Sequence, residues 1–134
     1  MKLKADPQSG LINKKLVSLR NNNDFREVYR NGKSFANKYL VLYVLKNGLS
    51  VNRSGISVSK KVGNSVVRHR IKRLIRECIR LHGEEFLTGY DFVWIARAGI
   101  IGISYWEMES AVLHLGRLHK ILKVKSGCEE GSGF

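Results

Sequence analysis

The sequence predicts an α/β fold, a sandwich of helices on a central β-sheet, and three observations carry that expectation. Residues 39–46 and 54–59 alternate with the two-residue period of half-buried strands. Residues 66–82 repeat their apolar side chains at helical spacing. Ser104 and Glu107 stand at the spacing of a capping box, which opens another helix. At 134 residues the chain fits one domain whose core needs no disulfide or metal to support it.

Residues 1–20 hold the only proline, Pro7, with Ser9, Gly10 and scattered lysines but no lasting period, and are expected to form a flexible basic arm. Asn21, Asn22, Asn23 and Asp24 offer N-cap side chains to a short helix over residues 25–30, with Gly32 suited to the C′ position. Phe25 and Tyr29, four residues apart, share one face of it. In the first strand Leu40, Leu42 and Val44 point one way, and Tyr39, Val41 and Tyr43 the other. In the second, Ile56 and Val58 oppose Gly55, Ser57 and Ser59. Joined through a turn at residues 47–52, the two strands would have one greasy face and one face of aromatics and small polar groups. That second face is either ordinary solvated sheet or a platform on which unpaired bases stack.

Along the long helix, Val67, Ile71, Leu74, Ile75, Cys78 and Leu81 form the expected inner stripe, while Arg68, Lys72, Arg76 and Arg80 run opposite at four-residue spacing, flanked by Arg70 and Arg73. Gly89, Tyr90 and Asp91 turn into a third, buried strand at 92–96. Met108, Ala111, Val112, Leu115 and Leu122 then line the inner face of the last helix. Residues 126–134 are glycine- and serine-rich and expected to be a disordered tail, so that residues 21–125 make up the domain.

Charge narrows the function. The chain carries 24 Lys and Arg against 11 Asp and Glu, a formal charge of +13. Residues 60–80 hold 8 basic and 1 acidic side chains, a local +7, whereas residues 81–134 hold 5 basic and 7 acidic, a local −2. A charge kept for solubility would be dispersed. This one is focused, as in proteins that lie against phosphates. No apolar run approaches the roughly 20 residues of a membrane span, and the first residues do not read as a secretory signal. The expectations are therefore a nucleic-acid partner, no membrane and an intracellular location. Cys78 and Cys128 are expected as free thiols.

A self-sufficient nuclease would need a base, an acid or a metal cage. His69, His82, His114 and His119 have no carboxylate or cysteine at a spacing that builds one. His114 and His119 are expected at the surface, and Glu107 and Glu109 as helix-dipole partners. No catalytic residue and no metal ligand is assigned to the chain. Residues 60–65 lead from strand to helix start, where backbone N–H groups attract anions.

The stretch RSGISVSKKVGNSVVRHRIKRLIRE at residues 53–77 closely resembles the signature of the bacterial ribonuclease P protein family. The pattern continues in Asn23, Asp24, Phe25, Val28, Tyr29, Gly32, Lys33 and Ser34, in Asn37, Leu42 and Tyr43, and in Gly89, Tyr90, Asp91, Ile95, Ala96 and Arg97. The resemblance spans roughly residues 20–122. It implies a sheet of about four strands flanked by helices, with a left-handed βαβ crossover. It also implies an accessory subunit of an endoribonuclease that removes the 5′ leader of precursor tRNA, with Mg²⁺ held mainly by a catalytic RNA. The partners are then that RNA and precursor tRNA, with no obligate protein partner, in the cytoplasm. Carried over by position, Phe25, Tyr29, Val41, Tyr43, Ser57 and Lys61 would receive the leader. Lys60, Arg68, His69, Arg70, Lys72, Arg73 and Arg76 would bind the RNA subunit. One departure stands out: the family's Arg-Asn-Arg is here Arg68, His69, Arg70, and an imidazole supplies only part of the hydrogen bonding of an amide. The alternatives are a general RNA- or DNA-binding module, which does not account for the cleft residues, and a stand-alone nuclease, for which the chain lacks a carboxylate or histidine cluster.

Overall fold

A computed structural model describes residues 17–19 and 21–123. Its elements run β1 (Val17–Ser18), α1 (Asn22–Asn31), β2 (Lys33–Ala36), β3 (Leu40–Lys46), β4 (Arg53–Ser57), α2 (Ser65–His82), β5 (Tyr90–Ala96) and α3 (Tyr105–Leu118), with short 3-10 turns at Gly83–Glu85 and Ala98–Ile100. The five strands form one mixed sheet in the order β1-β4-β5-β3-β2. β1 and β5 both lie parallel to β4, and β3 is antiparallel to β5 and to β2.

This order corrects the expected pairing of the two alternating strands. β3 and β4 share the sheet but are not neighbours, because β5 lies between them. β5 is also why a strand reading Phe92, Val93, Trp94, Ile95, Ala96 is apolar throughout: it is central and covered on both faces. α2 crosses from β4 to the adjacent parallel β5, the connection that parallel neighbours require. The sheet has five strands where about four were expected, the additional pieces being short. β2 is exposed at every residue, so no alternation announces it. β1 and the buried Leu19 come from the segment expected to be an arm, and its other residues lie outside those described. The tail at 126–134, with Cys128, also lies outside them.

Each face of the sheet carries a core. On one, Leu40, Leu42, Val44, Phe92, Trp94 and Ala96 meet Ile71, Ile75, Cys78 and Ile79 of α2 and Met108, Ala111, Val112 and Leu115 of α3. On the other, α1 covers a smaller cluster of Leu19, Val28 and Val93, against which Phe25, Tyr43, Leu45 and Ile95 are half-buried. The alternation in β3 divides its side chains between these two layers, as its sequence implies.

Helix ends agree less closely with expectation. Asn21, Asn64 and Ser104 cap the three helices, Ser104 in a reciprocal box with Glu107. In α2, Ile79 is buried in place of Leu81, which is 57% exposed, because the stripe drifts round the axis over five turns. α3 stops at Leu118. The chain then turns through Lys120 at φ +59°, and Leu122 bridges to Phe86 rather than continuing a helical stripe. Gly32 does end α1, but with extended backbone. Its glycine is needed for close approach, since a Cβ there would lie 2.5 Å from the Val28 carbonyl oxygen. No helix among the described residues is long and apolar enough to cross a membrane.

Candidate nucleic-acid interface

Two surfaces extend from the segment spanning β4 and α2. The first is the basic face of α2. The Asn64 side chain accepts from the Val67 N–H at 3.0 Å and fixes the helix start, whose first turn holds no acidic residue. Arg68 donates through Nε to the Gly63 carbonyl at 3.1 Å, folding back over the turn. Arg70 reaches across to donate to the Ile103 carbonyl at 2.9 Å, tying α2 to the entry of α3. Lys60, Lys61, His69, Arg70, Arg73 and Arg76 are exposed, and Lys72 and Arg68 are half-buried. Among the described residues no carboxylate forms an ion pair with any of these cations. A cluster of cations left without carboxylate partners among the described residues favours an anion.

The second surface lies between α1 and the sheet. Phe25 and Tyr29 stand 6.4 Å apart, centroid to centroid, and Tyr29 meets Tyr43 edge-on at 5.1 Å. Burial and then the neighbouring Tyr43 phenol raise the pKa of Tyr29, and the nearby Ser57 side chain partly offsets them. Phe25 rests on Gly55, where a Cβ would lie 2.5 Å from Cζ of the ring. Phe25 therefore both packs the smaller core and borders the cleft. Val41 is on the same face of β3 as Tyr43 and is also half-buried. Of the six cleft residues expected, Phe25, Tyr43 and Ser57 are grouped around Tyr29 from α1, β3 and β4, and Val41 is alongside Tyr43. Lys61 is exposed in the turn after β4, with no recorded contact to the aromatic group among the described residues.

Several polar groups have arrangements that sequence reading missed. Asp91, buried at 4% exposure, accepts from Arg53 at 2.8 and 2.7 Å and from Asn47 at 2.8 Å. Arg53 also approaches Asp24 at 3.6 Å, so it fastens the start of α1 to the sheet, and its pKa is raised chiefly by the hydrogen bond to Asp91. His82 sits between Glu85 at 2.6 Å and Glu109 at 2.7 Å, one on each ring nitrogen. Burial is the largest single influence and opposes a charge on His82, but the hydrogen bonds and charges of the two glutamates together outweigh it and raise the pKa. His119, expected at the surface, is half-buried, with Nε2 2.8 Å from the Leu42 carbonyl oxygen and an edge-on contact to Phe35. Burial lowers its pKa. The Cys78 thiol is free and buried, and desolvation pushes it up to about 11, so it is a packing group rather than a nucleophile. Among the described residues no group of three or more His, Cys, Asp or Glu is placed to hold a metal ion.

A mixed sheet with a helix rich in cations, most of them outside any ion pair among the described residues, on one side and a half-buried aromatic cluster on the other defines a small α/β protein of the nucleic-acid-binding class. The family model described as Ribonuclease P matches residues 14–120, and the chain belongs to that family. It is 64% identical over 105 residues to a ribonuclease P protein component of Lachnoclostridium phytofermentans, covering 78% of this chain and 90% of that one. It is 52% identical over 102 residues to one from Alkaliphilus oremlandii, covering 76% and 90%. Among solved structures, the Staphylococcus aureus RNase P protein superposes with a TM-score of 0.75 at 34% identity, covering 81% of this chain and all of that one. The Thermotoga maritima protein gives 0.70 at 32% identity, covering 75% and 96%.

Proposed function

We propose that this chain is the protein subunit of ribonuclease P, an accessory subunit that works with a catalytic RNA in the cytoplasm to remove the 5′ leader of precursor tRNA. The observation that carries the reading is the continuity of the two surfaces. β4 ends at Ser57 in the aromatic cleft, and a short turn later α2 begins and presents its cations. One rigid segment thus holds a single strand and a folded RNA in a fixed relation.

In this reading Phe25, Tyr29 and Tyr43 stack or border the bases of the leader, Val41 widens the apolar floor, and Ser57 and Lys61 serve its backbone. Stacking tolerates any base and requires an unpaired strand, which a leader offers and a mature 5′ end does not. Lys60, Arg68, His69, Arg70, Lys72, Arg73 and Arg76 neutralise and hydrogen-bond the RNA subunit. Mg²⁺ supplies the hydrolytic chemistry and is held mainly by the RNA. The chain's own part is to bind, to orient the leader and to screen phosphate repulsion.

The test is pre-tRNA cleavage with the RNA subunit alone, the protein alone and both, together with binding of precursor and mature tRNA to the reconstituted holoenzyme. Both together should exceed the RNA alone at low Mg²⁺, and the protein alone should be inactive. Tyr43→Ala should weaken precursor binding by about 5- to 150-fold, the equivalent of one lost base stack, and leave mature tRNA nearly unchanged. Equal losses for both ligands would refute the cleft assignment.

A further inference from the structure

Trp106 is 72% exposed in the first turn of α3, an uncommon setting for the largest apolar side chain. Its backbone is held firmly. Ser104 and Glu107 close the capping box around it, at 3.1 and 3.0 Å. The preceding Tyr105 packs against the main core and meets the indole edge-on at 5.4 Å and 80°. The ring is therefore positioned by its neighbours without being covered by them.

The surroundings carry both signs: Glu107 of the capping box adjoins the ring and Glu109 and Glu77 act on Tyr105, while cations approach from α2 and from Lys38. Arg70 ends on the Ile103 carbonyl, three residues before Trp106, and Arg73 is exposed nearly one turn further along α2. Lys38 lies close enough to Glu107 to lower its pKa, after the larger effects of the cap hydrogen bonds. Ile101, at 57% exposure, lies three residues before the Ser104 cap. Trp106 and Ile101 together fall well short of the roughly 1,000 Å² that a specific protein interface buries. Stacking on one ring beside arginines needs no more than this.

We propose that Trp106 stacks an unpaired base of the RNA subunit, with Arg70 and Arg73 neutralising the phosphates that flank it. The inference rests on the RNA-binding reading of α2 given above and extends that surface onto α3.

The chain has two tryptophans, and since Trp94 is fully buried, acrylamide quenching of the native full-length protein reports chiefly on Trp106. Adding ribonuclease P RNA transcript should quench the emission and reduce acrylamide access, and Trp106→Phe should remove most of that response. Trp106→Ala should weaken binding of the transcript by about 5- to 150-fold with an unchanged salt slope, because no phosphate contact is lost. Trp106→Phe should recover most of the affinity. If the wild type binds and stimulates cleavage while Trp106 stays equally accessible, or while Trp106→Ala binds as tightly, the stacking contact is wrong and the function stands. If the wild type neither binds the transcript nor stimulates cleavage, it is the function reading that fails. Protection of Trp106 that rises with protein concentration alone, with a doubled solution mass, assigns the patch to self-association and overturns the proposal.

Discussion

Gly55→Ala should damage the cleft from beneath, and its effect should depend on Phe25. The added methyl would meet Cζ and Cε1 of Phe25 at 2.5 and 2.6 Å and Leu19 Cδ1 at 3.3 Å. Relaxed carbon contacts lie near 3.5–4.0 Å, so the ring must retreat by about 1 Å, and Leu19 limits the sideways escape. Overpacking of this kind costs about 2 kcal/mol, which lowers Tm by roughly 6–12 °C in a domain of this size. Phe25→Ala, which removes a half-buried ring, should cost a similar amount, about half the roughly 4 kcal/mol of a fully buried one. Combining them removes the clash, so the double variant should be scarcely less stable than Phe25→Ala alone, with a coupling of about 1–2 kcal/mol. Urea unfolding of the four proteins measures this cycle. Additivity within roughly 0.5 kcal/mol would show that the ring does not rest on Gly55 in solution, and the geometry assigned to the cleft would fall with it.

Two further outcomes follow from the charges. Arg73→Ala should reduce the magnitude of the log–log salt slope of RNA-subunit binding by about 0.7–0.9, one phosphate contact. Arg80→Ala should leave it almost unchanged, because Glu77 already engages Arg80 at 2.7 and 3.1 Å; equal slopes for both variants would remove Arg73 from the phosphate surface. The raised pKa of His82 means that the folded state binds its proton more tightly than the unfolded one. Its contribution, of about 1 kcal/mol at most, is fully present below the unfolded value near 6.5 and is lost as pH rises through the folded value. The stability difference between wild type and His82→Gln should therefore be largest at acidic pH and shrink towards alkaline pH, and a difference that grows with pH would contradict the ion-pair geometry.

What the sequence made legible was local. Alternation in residues 39–46 and the helical stripe of residues 66–82 follow from which side chains share a face, and both cores respect them. The neighbour of each strand is a non-local matter. Sequential strands often pair, and only the insertion of β5, whose apolar run needs cover on both faces, overrides that tendency here. β2 and β1 are short and largely exposed, and their place in the sheet is set by backbone hydrogen bonds, which leave no mark on side-chain pattern. Phe25, Tyr29, Tyr43 and Ser57 lie on a helix face and two strand faces that stand out by periodicity, but it is the family resemblance that joins them into one expected site. The His82 cluster escaped notice because Glu109 is 27 positions away on another helix. Trp106 is the converse case, since exposure cannot be read from a tryptophan's identity.

The two cores are unequal, and that inequality bears on what the cleft can admit. α2 and α3 are anchored in a deep layer, whereas α1 leans on the sheet through a small cluster in which only Leu19, Val28 and Val93 are fully buried and Phe25, Tyr43, Leu45 and Ile95 are half-buried, with Arg53 as a polar tether at one end. Elements with so little buried contact open at lower free energy than the molecule unfolds. One wall of the cleft can thus yield while the other, backed by the large core, stays fixed. Under the proposed leader-binding role, such a slot would accept bases of differing size by adjusting its own width, without a separate pocket for each.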